Sequence, residues 1–189
     1  MNFKLNALVA AALMAAAAPS FAAMSDATSG NGELLLNVRY YNGTGISGGD
    51  DISAVFDLGV TMNDFLANQN TAGFSQSWNL NDTNYGTVFA DILAFAGANA
   101  ANIEFNVIAL DNTNGTDFVG GHRYLTTAAV NSFPALNNSN LSGFDGMNGY
   151  VTSNNVRGTH ATQTNGASKA VQADSSSANP VYFGSVGGQ

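Results

Sequence analysis

Three stretches of this chain alternate apolar and polar residues with a period of two, the pattern of a strand that buries one face. Residues 32–41 (GELLLNVRYY) put Leu34, Leu36, Val38 and Tyr40 on one side and Glu33, Asn37, Arg39 and Tyr41 on the other. Residues 51–58 (DISAVFDL) turn Ile52, Ala54, Phe56 and Leu58 inward, and residues 102–110 (NIEFNVIAL) do so with Ile103, Phe105, Val107 and Ala109. The turn-rich segment 42–49 makes the first two an antiparallel hairpin with a long loop. After the third, residues 111–115 contain Asn114-Gly115, the strongest short hairpin signal, which predicts a return strand over 118–127. A weaker alternation of Phe74, Gln76, Trp78 and Leu80 predicts a strand over 73–80, with Trp78 in the core.

Between these segments the period changes. Thr61 is placed to cap a short helix ending near Asn68, with Asp64 close to its positive end. A capping cluster at 81–84 precedes Val88, Ile92 and Phe95 at helical spacing, which predicts an amphipathic helix from Tyr85 to Ala96, ended by Gly97. From Asn131 onward Asn, Ser, Gly and Thr dominate. Only Tyr150-Val151 and 181–183 read as short strands there, and the ending 184–189 has no stop to its pattern, as in an incomplete copy of a longer protein. The fold expected is mainly β, a sandwich-like antiparallel domain with one or two short helices.

The N-terminus has a different character. Lys4 supplies a positive charge, residues 5–18 are almost wholly apolar, Pro19 breaks the run, and Ser20-Phe21-Ala22 offers the small residues of an A-x-A-like cleavage site. That order is the pattern of a secretory signal peptide, cut at Ala22–Ala23 with Ala23–Met24 as the competing bond. The apolar run is shorter than the roughly 20 residues that span a bilayer. Residues 23–189 then form one exported domain, opening on a small polar lead-in at 23–31. No second hydrophobic segment follows, so no membrane span is expected in the mature chain.

Composition excludes several chemistries. The chain has no cysteine, so disulfides, thiolate metal sites and cysteine nucleophiles are ruled out. Once Lys4 is removed, Arg39, Arg123, Arg157 and Lys169 face 13 acids, a formal charge of −9. Four scattered cations do not make a surface that tracks phosphates, so nucleic acid is not an expected partner.

The candidate sites are sparse. Residues 111–117 (DNTNGTD) resemble a calcium loop, but Gly115 falls at position 5 and His122 at position 12, where an EF-type loop requires Gly at 6 and Glu at 12; a hairpin turn accounts for them. Asp50-Asp51 after a Gly-Gly turn reads as a solvated pair. His122, beside Arg123 in the return strand, and His160, in a polar loop, are the two histidines a hydrolytic triad could use, yet no G-x-S-x-G elbow accompanies them. Two distant histidines do not make a metal site. Glu33 and Glu104 sit on presumed outward strand faces. Asn42, Asn81, Asn114, Asn137 and Asn140 lie in N-x-S/T triplets, which such a composition produces by chance. Aromatics such as Tyr41 or Trp78 would be able to stack on sugars where exposed, with the core the default place for Trp78. No catalytic, cofactor-binding or metal-ligating residue is assigned, and no cofactor is expected.

Several stretches together carry a family resemblance: residues 30–34 (GNGEL), residues 57–66 (DLGVTMNDFL), the strand end 107–111 (VIALD), and Gly158-Thr159-His160 followed by residues 165–168 (NGAS). In these the chain resembles the exported, Asn/Gly-rich proteins of Gram-negative bacteria sorted by the PEP-CTERM/exosortase system. The family's Pro-Glu-Pro motif, hydrophobic helix and basic end do not occur by Gln189, as in a chain truncated before its tail or a tail-less secreted relative. The resemblance implies a destination at the cell surface or in the extracellular polysaccharide matrix, without an assigned activity. The expected function is therefore a secreted or surface-associated, non-enzymatic structural or matrix protein, with exopolysaccharide or further copies of the chain as partners. A carbohydrate- or calcium-binding module and a secreted hydrolase are the alternatives.

Overall fold

The hairpin expected from the first two alternating stretches is the centre of the molecule. β1 (Glu33–Tyr40) and β2 (Ile52–Thr61) pair antiparallel, with Leu36 opposite Phe56 and Tyr40 opposite Ile52. β3 (Ile103–Asp111) lies along the other edge of β1, β4 (Arg123–Thr126) returns along β3, and β5 (Ala167–Val171) pairs with β2. The sheet order is β4-β3-β1-β2-β5, with every neighbouring pair antiparallel. The computed structural model describes residues 23–41, 51–111, 123–127, 146–171 and 179–183. The 42–50 loop, the Asn114-Gly115 turn and residues 118–122 of the return strand lie outside the described residues.

The fold is mainly β and antiparallel with short helices, as the alternation predicts. Three α-helices occur among the described residues: α1 (Met62–Asn68), α2 (Val88–Ala96) and α3 (Gly146–Asn155). α1 starts where expected. The Thr61 hydroxyl accepts the Asp64 N–H at 3.2 Å and donates to the Asp64 carboxylate at 2.7 Å, which satisfies an otherwise unpartnered helix-start amide. α2 starts three residues later than expected, because Asp82 caps a separate 3-10 turn at Thr83–Tyr85. That offset turns Val88, Ile92 and Ala96 inward. Phe95, expected inside, stands partly exposed with its ring edge-on to Tyr40.

The layers stacked on the sheet are helical. On one face Val38, Tyr40, Ile52, Ala54 and Phe56 pack against Tyr85, Val88 and Ile92, while Leu34, Leu58 and Ala109 pack against Met62 of α1. On the other, Leu35, Val55 and Ile108 pack against Met147, Tyr150 and Val151 of α3, together with Met24 and Phe183. This second layer corrects several sequence expectations. The face of β1 assigned to solvent is covered, and Leu35 and Asn37 are buried there. Tyr150-Val151 belongs to a helix. Residues 181–183 are buried in a turn and form no strand. The 23–31 lead-in is docked, with Met24 buried and its backbone bonded in both directions to the Asn155 side chain at 2.8 and 3.1 Å.

Two further expectations fail for identifiable reasons. Residues 74–79 form no strand, because β2 at the point Trp78 reaches is the irregular stretch 58–60, past the end of its pairing with β5 at Phe56, and offers no regular ladder for a further strand to join. Phe105 is 70% exposed, because at the start of β3 the cluster under α2 takes in Ile103 and not Phe105.

The packing of α2 makes a direct prediction. Ile92→Ala removes a side chain with no exposed surface, while Leu93 on the same helix is 41% exposed. Urea unfolding is expected to show Ile92→Ala losing about 2–5 kcal/mol, with Leu93→Ala within about 1 kcal/mol of the parent. Equal losses would mean that α2 does not pack by this face.

Candidate functional site

The groups with unusual chemistry gather where β2 leaves its regular pairing. Glu33 pairs with Thr61 and Leu35 with Asp57, so Leu34 alone on β1 faces three residues, 58–60, on β2. This bulge is held by Asp57, whose Oδ1 accepts the Gly59 N–H at 2.8 Å. Gly59 has φ +65°, and a side chain there would collide with the amide of Asn165. Asn165 belongs to the connection between the 3-10 turn Gly158–Ala161 and β5. Close by, the Asp57 N–H donates to the Gly166 carbonyl at 3.0 Å, and a Cβ on Gly166 would run into the His160 backbone. The bulge and the 158–167 segment are therefore locked together at backbone level.

Asp57 and His160 are the chemically notable residues, at 1% and 4% exposure. Among the described residues their Oδ2 and Nε2 atoms are the buried side-chain polar atoms with no hydrogen-bond partner. Burial pushes the Asp57 carboxyl up to about 7, helped by the charge of Glu33 and opposed by the Gly59 hydrogen bond. Burial pushes His160 down to about 4, against a hydrogen bond to the Val55 backbone that favours its charged form. Glu33 accepts the Ser25 N–H at 2.6 Å, and its own carboxyl is raised by burial. The Tyr85 hydroxyl donates to the Asp57 carbonyl at 3.0 Å and is raised to about 12, by burial first and then by Asp57 and Asp82.

Chemically this is a pair of carboxyl groups that hold protons unusually well, near a histidine that stays neutral. Such values suit proton transfer where a substrate reaches the groups. Here the atoms face the packed interior between the sheet, α3 and the 158–167 segment. The accessible part of the region is Trp78, 37% exposed, whose Nε1–H donates to the Leu58 carbonyl at 3.0 Å. Trp78 was expected in the core. It stands partly at the surface, in a segment that joins no sheet.

The other candidates are dispersed. His122, Asp50, Asn42, Asn114, Asn137, Asn140 and residues 112–117 lie outside the described residues. Asp111, first of the calcium-like run, is buried in an ion pair with Arg123 at 2.7 Å. Asp51 is buried rather than solvated and bonds the Tyr182 hydroxyl. Glu104 is exposed and paired with Arg39 at 2.9 Å, as a surface charge should be. Glu33 is half-buried instead of outward. The Arg39 guanidinium sits 5.3 Å over the Tyr41 ring, so that aromatic face is already taken. His160 lies in the polar connection before β5, in a 3-10 turn, but its side chain is buried. Among the described residues no group of three or more potential ligands could hold a metal ion, and no helix is long and apolar enough to cross a membrane.

Sequence reasoning missed Asp57 because it took that side of β2 for solvent. The available signal was the unbroken burial of residues 52–58, which an apolar run such as Ala54-Val55-Phe56 announces. Comparison with protein-family models, with curated proteins and with solved structures finds no match for this chain.

The two shifts act on stability in opposite directions. Asp57 binds its proton more tightly folded than unfolded, so its contribution is complete below 3.8 and is lost as pH rises towards 7. His160 binds its proton less tightly folded, so its contribution is complete above 6.5 and is lost as pH falls towards 4. Between those limits the two slopes oppose each other and the parent's stability changes little on their account. Urea midpoints measured from pH 4 to 8 are expected to rise with pH in Asp57→Asn and to fall with pH in His160→Gln. At pH 8 Asp57→Asn is expected to be the more stable protein by up to a few kcal/mol. Parallel profiles in all three proteins would show that neither group is held in the shifted state.

Proposed function

We propose that the protein is a secreted or cell-surface-associated, non-enzymatic structural protein of a Gram-negative envelope or matrix, of the kind sorted by the PEP-CTERM/exosortase system. The observation that carries this reading is how the residues just past the expected cut are docked. Met24, two residues past the expected cut after Ala22, is buried against Leu35, Val55 and Ile108 and tied to Asn155. A cut at Ala22–Ala23 leaves the new amino group on exposed Ala23. A cut at Ala23–Met24 would place a charged amine on the buried Met24 nitrogen, which is unfavourable away from water. The placement of Asp57 and His160 supports a structural role over a hydrolytic one, since both side chains are buried away from solvent and Asp57 Oδ1 holds the bulge.

The test is expression of the full chain, and of a chain lacking residues 2–22, in a Gram-negative host, followed by fractionation and N-terminal sequencing. The full chain is expected in the periplasm, on the surface or in the medium, reading Ala23 first, and the shortened chain in the cytoplasm. Full-length protein kept in the cytoplasm with its leader intact would overturn the reading.

A further inference from the structure

We propose that the exposed face of Trp78 is a stacking platform for one pyranose ring of an uncharged, gluco-configured oligosaccharide. Trp78 is the only tryptophan in the chain, and more than a third of it meets solvent although large apolar rings are buried by default. Its position is fixed. The Nε1–H bond ends on the carbonyl of Leu58, a core residue at the bulge that packs with Leu34, Met62 and Ala109. With that donor used, the rest of the indole offers only apolar carbon to whatever meets it.

The surroundings favour a sugar over a protein. In the same segment Ser75, Gln76, Ser77, Asn79, Asn81 and Asp82 are exposed, so the indole is an apolar island within hydrogen-bonding groups. The neighbouring apolar rings, Phe65 and Phe74, pack edge to face on each other at 6.0 Å. A protein partner would call for a contiguous apolar patch. A pyranose with equatorial hydroxyls has the matching form, an apolar C–H face with a polar rim. Residues 69–87 hold no Lys or Arg to pair with a uronate, and the chain's net charge is −8, so acidic sugars are disfavoured. The site gives the matrix reading a ligand but does not rest on it: failed export would leave the platform intact, and a failed titration would leave export intact.

The single indole is its own reporter. Cellohexaose and chitohexaose are titrated into the intact protein while tryptophan emission and acrylamide quenching are followed, with hexagalacturonate as the acidic comparison. The expected result is an emission change saturating on the order of 1 mM, the weak binding of a single subsite, with quenching reduced at least twofold by the neutral sugars and unchanged by the acidic one. In gels containing hydroxyethyl cellulose the parent should be retarded, Trp78→Phe retarded less, and Trp78→Ala not at all, with urea midpoints checking that each variant folds. If Trp78→Ala fails to fold, the quenching result on the parent decides alone. No protection by either neutral sugar, or retardation of folded Trp78→Ala equal to the parent, would overturn the proposal. Protection that grows with protein concentration in the absence of sugar would overturn it in favour of a second copy.

Discussion

The second face of the sheet is closed by amide and hydroxyl groups as much as by apolar fit, and the rest of the molecule depends on that closure. The Tyr150 hydroxyl donates to Asn37 at 2.9 Å, Asn37 donates to Asn106 at 3.1 Å, and Ser168 donates to Asn154 at 2.6 Å. The Phe183 N–H ends on the Ser53 hydroxyl. Each bond contributes about 1 kcal/mol net, but a buried partner left without one costs about 1–3 kcal/mol, so the network acts mainly by excluding other registers. α3 needs that help. Its sequence, GMNGYVTSNN, contains two glycines, three asparagines, a serine and a threonine, all poor helix formers in isolation. The helix persists because Met147, Tyr150 and Val151 are buried and Asn154 bonds at both ends of its amide, to Ser168 and to the Tyr150 carbonyl. Through Asn148 and Asn155 the same helix holds the start of the domain at Ala27 and Met24.

That dependence also explains what could be read from the sequence. β1, β2 and β3 and the start of α1 were legible because their signals are local: alternation for the strands, a hydroxyl and a carboxylate three residues apart for the cap. The hairpin partners followed from chain order. α3 is hidden by its glycines and asparagines, although Met147, Tyr150, Val151 and Asn154 fall at helical intervals. β5 (ASKAV) is too short and too small in its side chains to stand out, and its place is fixed by β2, far earlier in the chain, with Phe56 opposite Ala167. Once α3 went unseen, Asp57, Asn37 and Ser53 all passed for outward residues, and the candidate region vanished with them.

The bulge at 58–60 joins the two unusual parts of that region. Asp57 caps it from inside through the Gly59 N–H, while Leu58 turns its carbonyl outward to the Trp78 indole. An unfavourably placed carboxyl and an unfavourably exposed ring thus share one local backbone distortion. Proteins keep such costs where the distortion serves a purpose or where the surrounding packing leaves no alternative. The position of Asn165, itself at φ 56° against Gly59, shows how closely the surroundings specify this backbone.

The distribution of the few cations has a consequence for the molecule as a colloid. Arg39 is committed to Glu104, Lys169 to Asp91, and Arg123 to Asp111, Asn63 and the Gly30 carbonyl. Most of the positive charge is therefore used internally, as short staples between neighbouring elements. What reaches beyond the surface is a field of nearly one sign, carried by the unmatched carboxylates and surrounded by an atmosphere of counterions. Two copies approaching in dilute salt repel over tens of ångströms, because the Debye length is about 30 Å at 0.01 M, and the repulsion contracts to about 8 Å at 0.15 M. Crowding of such molecules is thus set by the ionic strength of the medium around them, a property that the external solution controls and the fold does not.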